Sequence, residues 1–139
     1  MTKAQFKVFR GEGSKGKYFE FSVEVTEGMV VLDAVHQIQS RHANDLAVRW
    51  NCRAGKCGSC SAEVNGKPRL MCMTRMDELP LDEPVLIEPM RGFPHMKDLV
   101  TDVSRNYEIN KKIRPLTPKP RETDGTYRMQ QEDIERIQE

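Results

Sequence analysis

The sequence predicts an α+β fold, in which short strands and one amphipathic helix accompany a loop rich in cysteine. Three observations support this class. Residues 18–25 alternate apolar and polar side chains, which is typical of a half-buried strand. Residues 30–42 repeat apolar side chains at helical spacing, and residues 85–87 form a short apolar run that suits a buried strand. The chain has 139 residues, enough for one domain and an extension.

The first half of the chain predicts a hairpin followed by a helix. A strand over residues 5–10 pairs with the strand over residues 18–25 across a glycine-rich turn. The helix over residues 30–42 presents one apolar stripe that we expect to pack on the sheet. This stripe consists of Val31, Ala34, Val35 and Ile38.

The second half predicts another hairpin and then a change of character. Asn65 and Gly66, a strong signal for a two-residue turn, separate strands over residues 61–64 and 68–73. Apolar side chains at helical spacing predict a helix over residues 96–112. The basic stretch over residues 109–121 contains three prolines, so we expect no regular structure there. A last helix is predicted over residues 130–139, where Ile134 and Ile137 share one side.

The charge balance excludes several classes of protein. The 22 Lys and Arg residues nearly match the 21 Asp and Glu residues, for a net charge of +1. A nucleic-acid-binding protein would show a basic excess, and a free acidic electron shuttle would show the opposite. The sequence has no apolar run of 18 residues, so we expect no membrane-spanning segment.

The four cysteines form a single group with the spacing C-x4-C-x2-C-x11-C, and they are Cys52, Cys57, Cys60 and Cys72. Such a group can form disulfides, bind zinc or bind an iron–sulfur cluster. Zinc sites usually use two C-x2-C pairs, whereas only Cys57 and Cys60 are spaced in this way. Disulfides are disfavoured because no signal peptide is apparent. The spacing of the first three cysteines is that of plant-type [2Fe–2S] proteins.

The residues between the cysteines suit this chemistry. Gly55 and Gly58 permit the tight backbone that wraps a cluster. Arg53 and Lys56 place positive charge beside four thiolates, so we expect them to favour the reduced state.

Other residues near the motif have ordinary structural interpretations. We interpret His36 and His42 as packing or surface residues because the four cysteines already complete a ligand set. Trp50 is expected to be a core aromatic residue that shields the site from water. Met71, Met73 and Met76 are expected to supply adaptable packing.

The cysteine motif and its surroundings resemble the iron–sulfur subunit of succinate dehydrogenase and fumarate reductase. The matching segments are NCRAGKCGSC at residues 51–60, NGK at 65–67, LMC at 70–72 and PHMKDLVTD at 94–102. The resemblance implies a β-grasp [2Fe–2S] ferredoxin-like domain, a helical linker and a truncated or missing α-helical ferredoxin domain. It also implies that the four cysteines are the [2Fe–2S] ligands.

The resemblance implies a domain division as well. Residues 1–92 would form the ferredoxin-type domain, residues 93–128 a helix and a basic proline-containing linker, and residues 129–139 the start of a helical second domain. In the resembled family that second domain ligates a [4Fe–4S] and a [3Fe–4S] cluster. This sequence lacks those cysteines, so we expect it to be the N-terminal part of a longer subunit.

The function implied by the resemblance is one-electron relay within a complex. A partner flavoprotein would oxidise succinate at FAD, and electrons would pass through the clusters to quinone at membrane anchor subunits. The chain would lie peripherally on the cytoplasmic or matrix face of the inner membrane, with no catalytic residues of its own and no nucleic-acid partner. The alternatives are a free-standing [2Fe–2S] ferredoxin and a zinc-binding structural module.

Overall fold

A computed structural model describes residues 2–115, 121–126 and 128–138. The first hairpin supplies two strands of a mixed five-stranded sheet. Strand β1 spans Thr2–Arg10 and strand β2 spans Lys17–Val25, and the two are antiparallel with Phe6 opposite Phe21. Alternate residues of β1 are buried, so one face of this strand points into the core. The predicted hairpin is confirmed, and β1 begins earlier than the sequence pattern indicated.

Helix α1 covers the buried face of the sheet. It spans Val31–Arg41, and all four residues of its predicted apolar stripe are fully buried. The stripe belongs to the same core cluster as the inward side chains of β1. Burial of each such aliphatic side chain contributes about 1.5–3 kcal/mol, so packing rather than helix propensity holds α1 in place.

Three short strands complete the sheet. They are β3 at Ser61–Val64, β4 at Lys67–Leu70 and β5 at Val85–Glu88. The strand order is β2-β1-β5-β3-β4, with β5 parallel to β1 and antiparallel to β3. This sheet, packed against one helix, is the β-grasp arrangement that the family resemblance implied.

The turn between β3 and β4 has the geometry that its sequence predicts. Asn65 and Gly66 both have positive φ, at +50° and +77°, which matches a two-residue hairpin turn. The Asn65 side-chain oxygen accepts the backbone N–H of Leu86 at 2.8 Å. The turn is therefore tied to the neighbouring strand β5.

The helix predicted over residues 96–112 is wrong in its first part. Strands β6, His95–Lys97, and β7, Val100–Thr101, form a small hairpin, and helix α2 spans only Ser104–Lys112. Asp98 lies in the turn with φ of +49° and is 1% exposed. Its carboxylate accepts backbone N–H groups from Gly11 and Ala47. These long-range hydrogen bonds stabilise a turn at Asp98, where the spacing of the apolar residues had predicted a helix.

The β6–β7 hairpin belongs to the same compact unit as the sheet. That unit extends to Arg105, whereas the domain boundary expected from the sequence lay at residue 92. The backbone N–H groups of Asp98 and Leu99 donate to the carbonyls of Gly11 and Ala47, at 3.0 and 3.2 Å. These contacts join the hairpin to the turn between β1 and β2 and to the segment that follows α1.

A second compact unit begins at Asn106. Its helix α3 spans Gln131–Gln138, which confirms the last predicted helix. The Ile134 side chain is 36% exposed, and the side chain of Ile137 lies outside the described residues. The basic stretch, expected to be irregular, is helical as far as Lys112, which is where the helix predicted over residues 96–112 ends. Its segment 116–120 lies outside the described residues.

None of the helices in the described residues combines the length and the apolar character needed to cross a membrane.

Candidate metal centre

The cysteine loop follows a segment that the β6–β7 hairpin holds in place. Asp98 accepts the backbone N–H of Ala47 at 2.8 Å, and the Arg49 guanidinium donates to the carbonyl of Thr101 at 3.1 Å. The chain therefore enters the cysteine loop from a fixed position. Trp50 directly follows Arg49, and Cys52 lies two residues further on. No local sequence pattern indicated this support, because the partners lie about fifty residues apart.

Backbone N–H groups inside the loop point at the thiols of Cys52 and Cys57. The sulfur of Cys52 accepts the N–H groups of Ala54, Lys56 and Cys57 at 3.3–3.4 Å. The sulfur of Cys57 accepts those of Cys52 and Ser59 at 3.5 and 3.4 Å. Such donors stabilise negative charge on sulfur, which is the form that ligates metal.

Positive φ angles produce this wrapping. Gly55 and Gly58 have φ of +71° and +73°, as expected for glycine, and Arg53 has φ of +56°. A Cβ atom on Gly55 would lie 2.8 Å from Cγ of Met73. Gly55 is therefore required both by its backbone conformation and by the close approach of Met73.

The β3–β4 hairpin brings the other two thiols together. Cys60 directly precedes β3 and Cys72 follows β4, so the two cysteines lie at the base of one hairpin. The backbone N–H of Met71 donates to the carbonyl of Cys60, and the N–H of Cys72 donates to the Cys60 sulfur at 3.4 Å. The position of the fourth cysteine thus follows from the turn at residues 65 and 66.

The four thiols consequently form two pairs. The backbone N–H groups of Cys52 and Cys57 each donate to the sulfur of the other, and the backbone N–H of Cys72 donates to the Cys60 sulfur. All four cysteines are free of disulfides. Among the described residues, no three His, Cys, Asp or Glu side chains converge as ligands of a single ion. Two pairs of thiols suit a cluster of two irons, each of which takes two thiolates.

The two pairs differ in environment. Cys52 and Cys57 are exposed, whereas Cys60 and Cys72 are 4% and 7% exposed. A hydrogen bond with the Ser59 side chain, assisted by backbone N–H groups, lowers the pKa of Cys57 to about 6. Burial raises the pKa of Cys60. Cys57 therefore favours thiolate at neutral pH, while Cys60 would need a bound metal to hold its charge.

Charge near the loop is more balanced than the sequence indicated. Arg53 forms an ion pair with Asp33 of helix α1 at 2.9 Å, so part of its positive charge is compensated. Lys56 is exposed. The contribution of Asp33 could not be read from the motif, because this residue lies twenty positions upstream.

The aromatic and methionine residues only partly follow their predictions. Trp50 is 46% exposed, so the expectation of a core aromatic residue is wrong. It packs instead against the ring of His36, with centroids 4.7 Å apart. Met71 and Met76 are buried and confirm the expected packing role, while Met73 is exposed and lies against Gly55.

The two histidines are packing residues, as predicted. His36 lies against Trp50, and burial lowers its pKa. His42 is exposed and has its ring 6.1 Å from that of Phe21.

Known proteins share this motif and fold. Residues 5–108 match the model of the 2Fe-2S iron–sulfur cluster binding domain. The succinate dehydrogenase iron–sulfur subunit of Coxiella burnetii is 33% identical over 125 residues, which cover 88% of this chain and 52% of that protein. The fumarate reductase iron–sulfur subunit of Mycobacterium tuberculosis is 37% identical over 111 residues, covering 78% of this chain and 44% of that protein.

A solved structure gives the same result. A chain of the Mycobacterium smegmatis Sdh1 complex in the apo form is 55% identical, with a TM-score of 0.82, and the match covers 98% of this chain and 57% of that chain. The present chain thus spans about half the length of the relatives it matches. The predicted resemblance to these iron–sulfur subunits is confirmed, and the chain belongs to the family of 2Fe-2S iron–sulfur cluster binding domains.

Proposed function

We propose that this chain is an electron-transfer subunit of a succinate dehydrogenase or fumarate reductase complex. The observation that carries the proposal is the arrangement of four thiols in two pairs, with backbone N–H groups directed at their sulfurs. When bound there, a [2Fe–2S] cluster supplies a carrier that accepts and releases one electron at a time. The names of the relatives support the choice of complex.

The ligand roles follow the pairing. Cys52 and Cys57 would hold one iron, and Cys60 and Cys72 would hold the other. The loop N–H groups would stabilise the thiolates and limit their movement when the charge of the site changes. Each N–H group is already in place before any electron arrives, so little reorganisation would accompany transfer.

The exposure of the two pairs suggests a direction for electron entry. Cys52 and Cys57 lie at the solvent side of the loop, and Cys60 and Cys72 lie against the core. We infer that a partner protein exchanges electrons with the Cys52–Cys57 end, where the path through protein is shortest.

The rest of the complex would supply the remaining chemistry. A flavoprotein subunit carrying FAD would oxidise succinate or reduce fumarate, and this chain would contribute no catalytic residue. Further [4Fe–4S] and [3Fe–4S] clusters would lead to quinone at membrane anchor subunits. The chain would then lie on the cytoplasmic or matrix face of the inner membrane, held there through its partners.

Substitution of one ligand tests the proposal. Cys57→Ser, introduced into the native subunit within its complex, should abolish or distort the [2Fe–2S] EPR signal. It should also slow succinate-to-quinone electron transfer by roughly tenfold or more, since even changes to groups around a metal ligand often cost that much.

A matched control lies outside the cysteine loop. Ser14→Ala removes a hydroxyl from an exposed residue between β1 and β2, and it should leave both readouts unchanged. A normal EPR signal and normal transfer in Cys57→Ser would overturn the proposal.

A further inference from the structure

Helix α1 contacts the cysteine loop through two side chains. Asp33 and His36 are three residues apart on α1, so they lie on one face of the helix. Asp33 Oδ1 accepts a hydrogen bond from the Arg53 guanidinium at 2.9 Å. The His36 ring packs edge-on against Trp50, with centroids 4.7 Å apart. Trp50 and Arg53 lie on either side of Cys52 in the chain.

These contacts form a closed set of four residues. The Arg53 guanidinium lies over the Trp50 ring, 5.9 Å from its centroid, a geometry that favours a cation. The second oxygen of Asp33 accepts the backbone N–H of Val30 at 3.1 Å, which fixes the carboxylate at the start of α1. We call Asp33, His36, Trp50 and Arg53 the helix–loop latch.

The loop contains a conformation that needs such support. Arg53 adopts φ of +56°, a left-handed conformation that is unfavourable for a non-glycine residue. This conformation precedes the Ala54 N–H, which donates to the Cys52 sulfur at 3.4 Å. If Arg53 relaxed to negative φ, that N–H would no longer point at the sulfur.

We propose that Asp33 is a positioning residue that acts through Arg53 to fix the Cys52 thiolate and to set the reduction potential of the site. The proposal rests on the proposed function, in which this loop holds a [2Fe–2S] cluster. The Asp33 carboxylate accepts hydrogen bonds from Arg53 and Val30, so its effect on the cysteine loop would pass through the charge and position of Arg53.

The sign of the effect follows from the charges. Loss of the Asp33 charge would leave Arg53 uncompensated, and positive charge favours the reduced, more negative state. At a fixed applied potential, Asp33→Asn should raise the ratio of reduced to oxidised cluster by roughly three- to tenfold, the size expected for one charge near a protein surface. For a one-electron couple this equals an upward shift of roughly 30–60 mV.

A second substitution has the opposite sign. Arg53→Gln removes the positive charge and leaves Asp33 in place, so it should lower the ratio of reduced to oxidised cluster. If the latch were only structural, both variants would loosen the same loop and shift the potential in the same direction. Asp33→Glu retains the charge and should restore a potential close to that of the unsubstituted protein.

The chain offers a matched control in a second ion pair that involves α1. Glu24 of strand β2 pairs with Arg41 of α1 at 3.3 Å, and these side chains are exposed to a degree similar to those of Asp33 and Arg53. Glu24→Gln removes one carboxylate from an exposed ion pair that does not involve the cysteine loop. Its potential should match that of the unsubstituted protein.

The experiment is a potentiometric titration followed by EPR, on native protein purified anaerobically with the partners it retains. Opposite shifts in Asp33→Asn and Arg53→Gln, with none in Glu24→Gln, would support the latch. Equal potentials in all variants, or shifts of one sign in both latch variants, would overturn it. Absence of a [2Fe–2S] signal from the unsubstituted protein would instead overturn the proposed function.

Discussion

The Asp98 carboxylate provides the sharpest test of how the cysteine loop is held. It is 1% exposed and accepts the backbone N–H groups of Gly11 at 2.7 Å and Ala47 at 2.8 Å. Asp98→Ala would leave both donors without this acceptor. It would also place alanine at φ of +49°, which Asp tolerates better than most residues.

The expected loss of stability can be worked from these contacts. A hydrogen bond to a charged group contributes about 1.5–3 kcal/mol, and the donor residues Gly11 and Ala47 are half-buried, so we take the lower value and about 3 kcal/mol for the two. A domain of this size loses about 4 °C in Tm for each kcal/mol. Asp98→Ala should therefore lower Tm by about 12 °C. Asp98→Asn, which keeps one acceptor oxygen, should lose about half as much.

Thermal unfolding followed by circular dichroism, under anaerobic conditions and with the site loaded, would measure this effect. Asp82→Ala is the matched control because Asp82 is an exposed carboxylate, and such changes usually stay within about 0.5 kcal/mol. A Tm for Asp98→Ala within about 4 °C of the control would refute the assigned role of the carboxylate.

Two further predictions concern the site. Gly55→Ala should lower Tm more than Gly66→Ala. Both positions have positive φ, but only at Gly55 would the new Cβ lie against Met73. Equal decreases in Tm would show that the contact with Met73 does not matter. His36 has a pKa lowered by burial from its ordinary 6.5, so its proton binds more readily in the unfolded chain, and stability should fall as pH drops below about 6.5. His36→Gln should reduce the decline in Tm between about pH 7 and 5. If the variant and the unsubstituted protein lost Tm in parallel over this range, the role assigned to His36 would be wrong.

Local patterns predicted the parts of the fold that local chemistry determines. The helix α1 stripe and the Asn65–Gly66 turn need only neighbouring residues for their definition, and both are confirmed. The cysteine spacing predicted the kind of site, and the hairpin base explains why Cys60 and Cys72 meet.

Contacts between distant residues account for what the sequence did not predict. The spacing of Leu99 and Val103 fits a helix, but Asp98 bonds to residues far back in the chain and produces a hairpin turn. Trp50 appeared suited to the core, yet it lies at the surface against Arg53. Periodicity carries no information about such partners, since they depend on the assembled sheet.

The iron and sulfide content of anaerobically purified protein, with an EPR spectrum after dithionite reduction, would show directly whether the four cysteines hold a cluster. We expect a rhombic signal from a [2Fe–2S] centre held by Cys52, Cys57, Cys60 and Cys72, with equal amounts of iron and sulfide in that centre. Zinc without iron or sulfide, and no signal on reduction, would contradict it and leave a structural module in place of an electron carrier.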